Sequence, residues 1–97
     1  MADAAERKEK NERIFREANE QIHEAAVELL EARAPAPFIC ECSDTACRDV
    51  LLLSLDDYTF ARADDARFIL ADGHPHGEAE LLRSGEGWAI WAKAGAD

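Results

Sequence analysis

Aromatic side chains are scarce in this 97-residue chain, at 7%: two Trp, one Tyr and four Phe. The hydrophobic fraction of 47% still excludes wholesale disorder, so a core forms, but a thin one that calls for some further staple. Basic residues are also few, since eleven Lys and Arg face twenty-one Asp and Glu for a formal net charge of -10. That imbalance disfavours nucleic acid and anionic membrane surfaces, and it points to protein partners with basic or neutral surfaces. No stretch approaches the roughly 20 apolar residues that span a bilayer, and no basic start followed by an apolar run marks export. A cytoplasmic, membrane-free setting is therefore expected. Glycine-rich phosphate loops, a nucleophile elbow and a His-Glu-x-x-His motif are all lacking, so no enzyme class is indicated. The acid pairs Asp56-Asp57 and Asp64-Asp65 read as capping or turn residues, because neighbours in sequence point apart.

Proline and glycine are absent from Ala4 to Arg33, where Glu, Ala, Arg and Leu dominate. This composition predicts one long helix. Phe15, Ala18, Ile22, Ala25, Leu29 and Ala32 recur at spacings of three and four, with Ile14, Ala26 and Leu30 widening the apolar stripe. Glu20, Glu24 and Glu28 form a like-charged row that reads as a solvent-facing edge, or as a contact for a basic partner. Pro35 and Pro37 end the helix and divide the chain into an amphipathic helix, 1–34, and a small α+β domain, 35–97, folding together as one unit. The first part carries nine acids and six bases, and the second carries twelve acids and five bases, so the globular part holds -7 of the -10.

After the prolines, Phe38 to Cys42 reads as a strand entering a turn at Ser43-Asp44-Thr45-Ala46 and pairing with Val50 to Leu53. Ser54-Leu55-Asp56-Asp57 resembles a capping box with Asp in place of Glu, opening a short helix over Leu55 to Arg62. Arg67 to Ala71 reads as a strand stopped by Asp72-Gly73. Ala79 to Arg83 and Trp88 to Lys93 make a closing hairpin around Ser84-Gly85-Glu86-Gly87, although the segment around Glu80 also suits a helical turn. Trp88 and Trp91 fall on opposite faces of their strand, one in the core and the other, Trp91, a partly exposed contact residue. The fold class is α+β: a long N-terminal helix followed by a small antiparallel sheet with one short helix, stapled by a zinc site.

The staple comes from the rarest chemistry in the chain. Its three cysteines, an odd number that cannot be fully paired, fall within eight residues as Cys40-x-Cys42-x4-Cys47. Residues two apart on a strand share a face, so Cys40 and Cys42 can aim both sulfurs at one ion while Cys47 returns from the turn. Structural Zn2+ takes four tetrahedral N or S donors, so a fourth is required. His74 follows Gly73 and precedes Pro75, which constrain its backbone, and it ranks ahead of His76 as that donor. His23, on the helix, reads as an ordinary interface histidine. Arg48 could partly balance the net -1 of three thiolates and an imidazole around a divalent ion. A filled Cys3His shell leaves no open position for substrate, so the zinc is structural and catalysis is not expected. Small buried core cysteines and a Cys-x-Cys redox pair are the competing readings.

Asn11-Glu12 and Asn19-Glu20 on the helix, Cys40-Glu41-Cys42 with Cys47, Leu53-Ser54-Leu55, Tyr58 and Gly73-His74 together give a pattern covering most of Asn11 to Lys93. In these the chain resembles a family of small uncharacterised bacterial proteins, chiefly actinobacterial, with no assigned activity. The resemblance implies a recurring cysteine cluster followed by a Gly-His turn, and it favours His74 as fourth ligand. The function expected is that of a non-enzymatic zinc-binding adaptor or regulator, meeting a protein partner through the N-terminal helix or the acidic surface, or pairing with a second copy. The alternative is a thiol redox switch using Cys40, Cys42 and Cys47 with redox-linked zinc release.

Overall fold

The computed structural model describes residues 4–42, 47 and 49–93. In chain order its elements are α1 (Ala4–Leu29), β1 (Pro35–Ile39), β2 (Val50–Ser54), α2 (Leu55–Arg62), β3 (Arg67–Ala71), β4 (Glu80–Gly85) and β5 (Trp88–Ala92). The fold is mixed α+β. Its strands form two antiparallel sheets rather than one, β1-β2 and β3-β5-β4. The helix stops at Leu29, short of Arg33. Leu30 N–H still bonds Ala26 O at 2.8 Å, but Ala34 N–H then bonds Glu31 O at 2.9 Å, a turn that reverses the chain into β1. The bias that Pro35 places on Ala34 acts there, before the proline itself.

β1 begins at Pro35, not beyond the prolines, and the reason lies in its hydrogen bonds. It pairs with β2 in a register that sets Pro37 opposite Leu52 and Phe38 opposite Leu51. Cys40 N–H continues the ladder to Asp49 O at 3.3 Å, so even-numbered N–H groups face β2 and odd-numbered ones face away. Both prolines sit at odd positions on an edge strand, where the missing donor leaves no ladder bond unmade. The next odd residue, Ile39, gives its N–H to Asn19 Oδ1 at 2.8 Å, and Asn19 Nδ2 returns a bond to Ile39 O at 2.9 Å. One side-chain amide of α1 thus stands in for a neighbouring strand. Leaving such a buried donor unmet costs about 1–3 kcal/mol, so this polar contact sets the rotation of the helix.

The buried face of α1 follows from that constraint. Asn19 and Ala26 are buried, Phe15, Ala18 and Ile22 are half-buried, and Ala25, Leu29 and Ala32 of the expected stripe lie exposed. The row of acids is likewise split: Glu20 accepts the Tyr58 hydroxyl at 2.8 Å, whereas Glu24 and Glu28 face solvent. Across the interface Tyr58 stacks on Phe38 with ring centroids 4.3 Å apart and planes 1° from parallel. Burial pushes the Tyr58 phenol above its ordinary pKa, against the pull of Arg62. Leu53, Ile69, Leu70 and Ile90 complete the fully buried centre.

Ser54 caps α2 as expected, its Oγ accepting Asp57 N–H at 3.1 Å. The Asp57 carboxylate does not close the box. It reaches Arg83 at 2.9 Å and ties α2 to β4, a strand rather than a helical turn despite its register shift between Leu81 and Arg83. The guanidinium groups of Arg67 and Arg83 each lie over the Phe60 ring, 4.4 and 3.8 Å from its centroid. Trp88 is buried and Trp91 half-buried. Among the described residues, no helix is long and apolar enough to cross a membrane.

Candidate metal centre

Three segments converge where the two sheets meet. Cys40 and Cys42 follow β1, Cys47 precedes β2, and His74 follows β3. One donor atom from each of Cys40, Cys42, Cys47 and His74 lies within 4.8 Å of all the others. Bond lengths of about 2.3 Å to sulfur and 2.0–2.1 Å to nitrogen give a tetrahedral site donor–donor edges of about 3.5–3.8 Å. The donor pairs, all within 4.8 Å, exceed those edges by about 1 Å at most. The donor set suits a soft or borderline divalent ion, and these four residues can hold one.

Each position has a local cause. Period-two alternation after β1 sends the sulfurs of Cys40 and Cys42 to one side and the Glu41 carboxylate to the other. Gly73 adopts φ +85°, in the left-handed region that disfavours other residues, and the turn it makes lets His74 N–H bond Ala71 O at 3.3 Å. The same strand end supplies Ala71 N–H to Cys40 Sγ at 3.3 Å, a donor suited to a thiolate. None of the three cysteines is in a disulfide. Burial pushes the Cys40 thiol up to about 12, with the other two cysteines adding to the effect, and burial also raises Cys47. A metal ion must therefore displace protons here, and its affinity falls as pH falls.

His76 does not join the group. Its ring stacks on Trp91 at 3.8 Å between centroids and 11° between planes, so the partly exposed tryptophan meets a residue of its own chain. His23 packs against Tyr58 at 5.0 Å. Arg48 and the Ser43–Ala46 turn lie outside the described residues.

Two residues with polar roles at the centre escaped the reading of the sequence. Asp49 Oδ2 lies 2.7 Å from His74 Nε2. Glu41, between the two cysteines, is 3% exposed, and its carboxylate accepts four hydrogen bonds: Arg62 Nη1 and Nη2 at 2.9 and 2.8 Å, Asn19 Nδ2 at 2.8 Å and Ile69 N–H at 3.1 Å. Its own N–H bonds Ile69 O at 2.9 Å. Burial pulls the Arg62 guanidinium down, but the hydrogen bond and charge of Glu41 outweigh it and leave it raised. The alternation Cys-Glu-Cys was the available signal, because a strand that aims sulfurs one way must aim the glutamate into whatever lies behind. No family model matches this chain, and no match was found among curated proteins or solved structures.

Proposed function

We propose that this chain is a non-enzymatic zinc-binding protein, in which a structural Cys3His ion locks the two sheets together and the outer surface serves a protein partner as adaptor or regulator. The observation that carries this reading is the meeting of four donors from three separate segments. Zinc is favoured over other ions by the three sulfurs and the tetrahedral count. With every position taken by protein, no site is left for substrate. The redox alternative draws no support, since a reactive thiol needs a lowered pKa and burial has raised that of Cys40.

Elemental analysis tests the metal. The four donors make a single site, so the wild-type protein should carry one equivalent of zinc, and Cys42→Ser and His74→Ala should each release it to a chelator that leaves wild type loaded. A wild type without zinc sinks the proposal.

The partner surface we assign to α1. Its last turn and the residues just after it leave Val27 51%, Leu29 82% and Leu30 39% exposed, beside Glu24, Glu28 and Glu31, a mixed apolar and acidic face suited to an apolar groove with a basic rim. Self-pairing is opposed by the formal charge of -10 on each copy. Light scattering on the zinc-loaded chain should accordingly give the monomer mass of 10.7 kDa, whereas a dimer that Leu29→Glu dissociates would turn this face over to self-association.

A further inference from the structure

We infer that Asp49 is a positioning residue of the metal centre: its carboxylate holds the Nε2–H of His74, which makes Nδ1 the atom that His74 presents to the metal. The inference rests on the metal reading above and assigns the geometry of its nitrogen ligand. Asp49 Oδ2 stands 2.7 Å from His74 Nε2, the closest polar contact in the centre, while Nδ1 lies 3.9 Å from Cys40 Sγ. A carboxylate only accepts, and a neutral imidazole has one N–H, so the proton sits on Nε2 and the lone pair on Nδ1. Nε2 also lies 4.0 Å from Cys47 Sγ, but a nitrogen that donates to Asp49 has no lone pair for a metal.

The cysteine side of the centre reinforces the assignment. Cys47 Sγ lies 3.7 Å from the same Asp49 Oδ2, a weak thiol contact. As a metal-bound thiolate Cys47 has no proton to donate, and Oδ2 is left to the imidazole. The position of Asp49 is fixed independently of the metal, because its carbonyl accepts the Cys40 N–H at 3.3 Å as the last rung of the β1-β2 ladder. One residue therefore sets both the backbone of one ligand and the ring of another. Its side chain is 54% exposed against 22% for His74, as befits an outer acceptor that orients a ligand without entering the group of four donors. Outer partners of this kind typically account for 10–100-fold in metal affinity.

The test uses the full chain and two readouts. With 113Cd loaded into protein labelled at histidine 15N, scalar coupling should appear at Nδ1 of His74 and not at Nε2. In zinc competition against a chromophoric chelator, Asp49→Ala should still bind one equivalent at saturation with Kd raised about 10–100-fold. Asp49→Asn, which keeps an oxygen acceptor without the charge, should fall between that variant and wild type, and it serves where the alanine variant does not fold. Coupling at Nε2, or a Kd for Asp49→Ala indistinguishable from wild type, overturns the inference while leaving the zinc site standing. Loss of stoichiometric binding in Asp49→Asn would make Asp49 a ligand instead, and would equally overturn it. A wild type that binds neither ion removes the metal reading and this inference together.

Discussion

Stripping zinc from the loaded protein should lower its unfolding midpoint by about 16–32 °C. The figure follows from mass action. A ligand held at 1,000 times its Kd stabilises the folded state by about 4.1 kcal/mol, and each kcal/mol moves the midpoint of a domain this small by about 4–8 °C. Zinc peptides that are unfolded without metal realise about 10–16 kcal/mol, but this chain keeps an apolar centre of its own around Phe38, Tyr58, Leu53, Ile69 and Ile90. The metal-free chain should therefore melt early rather than be unfolded throughout. The loss should concentrate where the sheets join, because among the described residues the hydrogen bonds left there are few: Glu41 N–H to Ile69 O, Ile69 N–H to Glu41 Oε1, Ala71 N–H to Cys40 Sγ, and His74 Nε2 to Asp49 Oδ2. Thermal melts with excess zinc and with a strong chelator, read alongside hydrogen exchange at the Ala71 amide, check both parts. Coincident melts would mean that the cysteines contribute packing and not a staple.

Much of this architecture was written locally. The absence of Gly and Pro compelled the helix, Ser54 marked the start of α2 because a hydroxyl there meets an orphan N–H, and the clustered cysteines with Gly73-His74 named the four donors. What was not legible depended on partners distant in sequence. Pro35 and Pro37 read as the end of the helix and a break before the strand, yet they open β1, because their missing donors fall on the side where α1 and not a strand lies alongside. Apolar spacing placed the helix stripe on Phe15, Ala18, Ile22, Ala25, Leu29 and Ala32, of which Ala25, Leu29 and Ala32 lie exposed. Buried together with Ala26 is Asn19, whose signal was its place in the series Phe15, Asn19, Ile22, Ala26, a polar residue at core spacing. Asp49 carried no signal of its own, since only the fold brings it to a ring 25 positions away.

Glu41→Ala should destabilise the protein by about 3–5 kcal/mol, out of the 5–15 kcal/mol that holds a typical domain together. The cost arises from what is left behind. Arg62 would keep a guanidinium over the Tyr58 ring, 5.2 Å from its centroid, with Nε already buried and unpartnered among the described residues. Asn19 Nδ2 and Ile69 N–H would each lose the carboxylate as acceptor, so α1, α2 and β3 would each lose a tie to the segment bearing the cysteines. Glu41→Gln should not restore stability. Oε2 accepts from Asn19 Nδ2 and Arg62 Nη1, and Oε1 from Arg62 Nη2 and Ile69 N–H, so an amide NH2 in either place meets two donors. With a urea slope of about 1.5 kcal/mol per molar, the alanine variant should unfold about 2–3 M earlier than wild type. Because the side chain points away from the sulfurs, zinc stoichiometry in the folded fraction should stay at wild-type level, which separates this loss from a damaged metal centre. The double variant Glu41→Ala/Arg62→Ala should be more stable than the sum of its single variants predicts, since removing both charges leaves neither one buried alone. Additive losses, or a shift within the noise of the urea midpoint for Glu41→Ala, would mean that water reaches this carboxylate and that the tie between helices and strands lies elsewhere.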